Sequence, residues 1–183
     1  REDLRVELKH IQLDLGATIL YVTHDQVEAM TMADRIGVLR EGELVQVGTP
    51  RQIYAEPDSL YVACRLGSPQ INQLPPGALG ITDGPAGTAV IGVRPEDVVL
   101  GEGGAAARIL TVEPLGAETV ILAESQGARL HALAAPGADW QPHQETTIGM
   151  LPGAALFFDA NGRRLPSSVP PRQVEGLELR HGT

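Results

Sequence analysis

Apolar and polar residues follow two different periods along this chain, and the change falls near residue 67. In the first part, Leu4, Leu8, Ile11 and Leu15 recur at spacings of 4, 3 and 4, which predicts one face of a helix over Arg1 to Leu15. Gly16 follows as a C′ residue, where positive φ costs little. The run Ile19-Leu20-Tyr21-Val22-Thr23 reads as a buried strand that stops at His24. Asp25 then opens a helix from Gln26 to about Asp34, with Glu28 at the spacing of a capping box. Ile36 to Leu39 and Leu44 to Val47 predict a hairpin about a tight turn at Glu41-Gly42. Thr49-Pro50 starts another helix with an N-cap hydroxyl and a proline at N1, ending near Pro57. Asp58 is expected to cap one more, through about Leu66.

Beyond that point the pattern changes. Gly67-Ser68-Pro69 and Pro75-Pro76-Gly77 interrupt regular structure. Short β-rich runs then recur between Gly and Pro residues: Thr88–Val93, Asp97–Leu100, Ala107–Val112, Thr119–Ala123, Arg129–Leu133, Thr146–Leu151 and Ala154–Phe158. Their even spacing predicts a small barrel or sandwich. Asn161-Gly162 marks a last turn before Leu165. The fold class expected is therefore α+β, an α/β part followed by an all-β barrel. The expected divisions are 1–66, a linker at 67–77, the barrel at 78–166 and a proline-rich tail at 167–183.

Composition narrows the functions. With 14 Lys+Arg against 23 Asp+Glu, the net charge is −9, which repels a polyanion unless a local basic face exists. Aromatic residues make up only 3%, few platforms for stacking bases, so no nucleic-acid partner is expected. The single cysteine, Cys64, permits no internal disulfide. No apolar run is long enough to span a bilayer, and no signal peptide is visible. The chain opens at Arg1 directly in a helical pattern, without an initiator methionine, which suggests a piece of a longer protein.

His24 is the first candidate for chemistry, because ligands of open α/β sheets gather outside the carboxyl ends of strands. Taken alone, a histidine in that position is more often a surface or capping residue. The residues around it change the balance. Thr23-His24-Asp25-Gln26-Val27-Glu28-Ala29-Met30, then Ala33-Asp34-Arg35, Gly42 and Gly48-Thr49-Pro50, closely resemble the switch-histidine region of ABC transporter ATPases. The resemblance is to importer subunits for maltose and related sugars or glycerol 3-phosphate. Ile91-Gly92-Val93-Arg94-Pro95-Glu96-Asp97-Val98 resembles a motif of the transport-associated OB-like (TOBE/MOP-like) regulatory domain fused to those ATPases. Gly67-Ser68-Pro69 with Asn72 and Leu74-Pro75 resembles the junction, and Phe158-Asp159-Ala160 with Gly162 and Leu165 the end of that domain.

The resemblance implies that residues 1–66 are the C-terminal remnant of an ABC nucleotide-binding domain. It implies that His24, both catalytic and nucleotide-binding, contacts the γ-phosphate of ATP, with ATP and Mg²⁺ as cofactors of the full-length parent. Membrane-spanning permease subunits and a second copy of the chain are the implied partners. The implied location is cytoplasmic, peripheral to the inner face of the inner membrane. The transported solute is not implied, because such importers take specificity from other subunits.

What is missing bounds the activity expected of this chain alone. No G-x-x-x-x-G-K-[ST] loop cradles phosphates, no apolar strand ends in Asp-Glu, and no Leu-Ser-Gly-Gly signature occurs. In the family these lie upstream. Phosphoryl transfer rests on positioning and electrostatics that one histidine cannot supply, so the chain alone is expected to be inactive and to bind ATP weakly or not at all. His10, His24, His131, His143 and His181 are scattered, with no ligand spacing and hence no metal site expected. No G-x-S-x-G elbow occurs. Arg94-Pro95-Glu96-Asp97 reads as a proline-set turn with solvated acids, and Met30 and Met32 as core filling. The alternative function is a free-standing OB-type binding or dimerisation module for a small oxyanion or a protein partner.

Overall fold

The computed structural model describes residues 2–167; the tail expected at 167–183 falls outside them apart from Ser167, as does His181. The helix expected at the start is α1 (Glu2–Leu15). Gly16, at φ 59°, ends it. Its N–H donates to Leu13 O and that of Ala17 to Gln12 O, the paired bonds of a Schellman stop. The run Ile19–Thr23 corrects the reading. It has no regular secondary structure and belongs to no sheet among the described residues, and Leu20 and Val22 are 91% and 81% exposed. A β pattern becomes a strand only where a neighbour takes up its backbone groups.

α2 (Gln26–Met32) follows. β1 (Ile36–Arg40) and β2 (Glu43–Gly48) then pair antiparallel. Glu41 and Gly42 both have positive φ, 52° and 85°, as a two-residue turn between twisted strands demands. α3 (Pro50–Ala55) begins in a complete capping box: Thr49 Oγ1 accepts from Gln52 N–H, and Gln52 Oε1 accepts from Thr49 N–H. α4 (Leu60–Ala63) is shorter than expected, and its cap is Ser59 rather than Asp58. Asp58 is engaged elsewhere, its N–H donating to Gln46 Oε1 and its carbonyl accepting from Arg164 N–H. Ile36, Ile53, Tyr54, Val62 and Leu66 form the core of this part, with Met30 packed against it.

The β-rich part holds two four-stranded antiparallel sheets. One contains β3 (Asn72–Leu74), β4 (Val90–Val93), β9 (Leu156–Phe158) and β10 (Arg164–Leu165), in the order β10-β9-β4-β3. The other contains β5 (Val98–Pro114), β6 (Thr119–Ser125), β7 (Ala128–Ala134) and β8 (Glu145–Met150), in the order β7-β6-β5-β8. Both line one core: Leu74, Ile91 and Val93 from the first, Ile109, Ile121, Leu130 and Ile148 from the second. β3 lies inside the stretch read as a linker; its Leu74 and the preceding Ile71 are buried.

The runs read as two strands at Asp97–Leu100 and Ala107–Val112 are one 17-residue strand, β5. Leu100 and Ala105 both face Ile148, so the four residues between them loop out. Gly104 makes this possible: at φ 97° it passes so close to Ile148 that a Cβ would lie 2.3 Å from the Ile148 carbonyl oxygen.

A side chain closes the seam between the sheets. Asn72, 5% exposed on edge strand β3, donates from Nδ2 to His131 O at 2.9 Å and accepts His131 N–H on Oδ1 at 2.7 Å. Its amide thus stands in for a strand against the edge of β7, satisfying groups that edge would otherwise leave unpaired.

Candidate functional site at His24

The irregular run leads to a bend at His24, between two residues that are held by hydrogen bonds. Asp25 is the N-cap of α2, its Oδ1 accepting from Val27 N–H at 2.8 Å and Glu28 N–H at 3.2 Å. Thr23 Oγ1 accepts from Asp25 N–H at 3.0 Å and donates to Glu28 Oε2 at 2.7 Å. The Tyr21 hydroxyl donates to the same oxygen at 3.1 Å. His24 itself is exposed. The backbone is thus fixed on both sides while the imidazole faces outward, able to meet an anionic oxygen.

The other described histidines do not join it. His10 lies on α1, His131 meets Asn72 through its backbone, and His143 sits in a turn at φ 70°. Among the described residues no three His, Cys, Asp or Glu side chains converge as metal ligands would. No described helix is long and apolar enough to cross a membrane. A shallow pocket of about 280 Å³ is lined by residues that include Glu56, Asp58 and Arg164, none of them from 21–28.

A second polar cluster joins the two parts of the molecule, and here the reading of Arg94–Asp97 as a solvated turn is incomplete. Pro95 does start a short 3₁₀ turn and Glu96 is exposed. Arg94, however, is only 4% exposed. Its Nη1 donates to the carbonyls of Ala63 and Leu66, its Nη2 to Tyr54 O, and its guanidinium lies 3.9 Å from the centre of the Tyr54 ring. The Tyr54 hydroxyl donates to Glu96. Burial lowers the Arg94 pKa and raises that of Tyr54, and the neighbouring Arg94 charge opposes only part of the tyrosine's shift. The planar guanidinium thus collects the carbonyl ends of α3 and α4. Beside it, Ala63, Ile71, Leu156 and Phe158 pack together, and Leu60 N–H donates to Gly162 O. Arg-Pro after an apolar strand hinted at this anchor; the carbonyls it would meet lie some 30–40 residues away.

Residues 91–158 match the TOBE domain family. Over 183 residues the chain is 40% identical to the sn-glycerol-3-phosphate import ATP-binding protein UgpC of Rhizobium meliloti, covering 90% of this chain and 52% of that protein. The chain is homologous to ABC importer ATP-binding subunits. It is also 36% identical to the sulfoquinovosyl glycerol transport ATP-binding protein SmoE of Agrobacterium fabrum, over 90% of this chain and 52% of the relative. To the xylose/arabinose import ATP-binding protein XacK of Haloferax volcanii it is 34% identical, over 92% and 52%. The chain spans about half the length of these relatives. Its architecture agrees: a mixed α/β part precedes a β-rich TOBE domain.

Proposed function

We propose that this chain is the C-terminal part of the energy-coupling, ATP-binding subunit of an ABC importer for a sugar or a related solute. His24 contacts the γ-phosphate of ATP in the complete protein, and Mg-ATP is held by the upstream half. The observation that carries this reading is His24 itself. It is an exposed imidazole at a bend whose flanking backbone is fixed, within a stretch homologous to sugar and glycerol-3-phosphate importer subunits. Residues 1–66 would belong to the nucleotide-binding domain and 78–166 to the regulatory barrel, with the stretch between carrying β3 into the barrel. Permease subunits and a second copy of the chain complete the transporter at the cytoplasmic face of the membrane. The exposed apolar run at 19–22 suits a place inside a larger sheet completed by upstream sequence.

The test uses the full-length protein assembled with its permease subunits. His24→Ala should lower ATP turnover on the order of 10²–10³-fold, the usual cost of losing a positioned polar contact to developing charge. ATP affinity should change little, because the phosphate loop dominates binding. Near-normal turnover in a folded His24→Ala protein would overturn the assignment. The 183-residue chain alone should show no saturable micromolar binding of Mg-ATP by calorimetry.

A further inference from the structure

We infer that Glu28 is a positioning residue for His24, an inference that rests on the catalytic reading of His24 above. Three bonds converge behind the bend. Thr23 Oγ1 receives the Asp25 N–H, and a hydroxyl can aim a lone pair there only if its own proton points elsewhere. Glu28 Oε2 takes that proton at 2.7 Å, a short charge-assisted bond. The Tyr21 hydroxyl reaches the same oxygen from two residues further back. One carboxylate on α2 therefore ties down the chain at Tyr21 and Thr23, and through Thr23 the amide of Asp25. His24 is the residue enclosed by these ties, and its backbone angles set where the imidazole is offered. Without Glu28 the Thr23 hydroxyl is free to rotate, the Asp25 amide no longer meets a fixed acceptor, and the imidazole samples a wider arc.

A simpler role for Glu28 is a negative charge in the first turn of α2, favourable to the helix whatever the loop does. The two roles separate by substitution. Glu28→Gln removes the charge but keeps an oxygen that can accept from Thr23, whereas Glu28→Ala removes both. Solvent exchange of the Asp25 amide, followed by NMR in the 183-residue chain, reads the tie directly. The amides of β1 and β2 serve as an internal control for folding. Exchange should quicken about tenfold in Glu28→Ala and in Thr23→Val, the scale of one lost hydrogen bond. It should stay near the parent value in Glu28→Gln, and the Glu28→Ala/Thr23→Val pair should be no faster than either alone. Unchanged exchange in Glu28→Ala, or a Gln variant as fast as the Ala one, would overturn the inference.

Turnover of the full-length assembly is the second readout. Glu28→Ala should lower kcat about tenfold with KM for ATP unchanged, less than His24→Ala, and Glu28→Gln should recover most of it. If His24→Ala cuts turnover and Glu28→Ala does not, the positioning role fails while the catalytic reading of His24 stands. If His24→Ala leaves turnover intact, that reading fails, and amide exchange still decides what Glu28 holds.

Discussion

The β-rich part and the stretch from α1 to the His24 bend use equally apolar residues and reach opposite degrees of burial. In the β-rich part Ile109, Ile121, Leu130, Ile148 and Phe158 are fully buried, each facing strands from the same chain. Around the bend Ile11, Leu15, Ile19, Leu20, Tyr21 and Val22 are exposed although their spacing is that of core positions. The difference teaches that a hydrophobic pattern states a demand for a partner and not its fulfilment. Where the partner strands lie within the described residues, the pattern closes into sheets. Where they do not, the chain keeps its helix cap but neither strand pairing nor burial.

The comparison would break most visibly at Arg94. Arg94→Met should destabilise the 183-residue chain by about 3 kcal/mol, because the buried carbonyls of Tyr54, Ala63 and Leu66 lose their donors. Urea unfolding followed by circular dichroism measures it. A change below about 0.5 kcal/mol would mean that the two parts do not depend on this anchor. Asn72→Ala comes next, at about 2 kcal/mol, since two backbone groups of His131 at the β7 edge lose their partner. Faster amide exchange at His131, with the β5–β6 pairs unaffected, would locate the loss at the seam.

A smaller effect should appear at high pH. The Tyr54 pKa is raised by burial above its ordinary value of 10.0, so the folded state favours the neutral phenol. That contribution is complete below pH 10 and is lost as pH rises from there toward the folded-state value. Unfolding at pH 8 to 11 should show stability falling above pH 10, with a shallower fall in Tyr54→Phe. The smallest effect belongs to the exposed run. Leu20→Ser or Val22→Thr should change stability by less than about 0.5 kcal/mol. A cost near 2 kcal/mol would show these residues already packed in this chain, removing the contrast between the two regions.

Some elements were legible from residue order because their causes are local. Gly16 stops α1, Glu41-Gly42 supplies two positive φ angles, and Thr49-Pro50 caps α3 with atoms a few residues apart. Asp25 caps α2 in the same way, so the bend holding His24 could be placed before any tertiary contact was known. What the local pattern left open depended on distant groups. Ser59 rather than Asp58 caps α4: the Ser59 carbonyl accepts from Ala63 N–H, while the Asp58 carbonyl accepts from the distant Arg164 N–H. Two expected strands became β5 because Ile148 faces both Leu100 and Ala105 across a four-residue loop. Ile19–Thr23 joins no sheet among the described residues because β pairing needs a second strand, which residue order within the run cannot provide. Arg94 and Asn72 look like turn and junction residues in one dimension. Only the fold brings the helix-end carbonyls to the guanidinium and the β7 edge to the amide, because burial removes the water that would otherwise satisfy those groups.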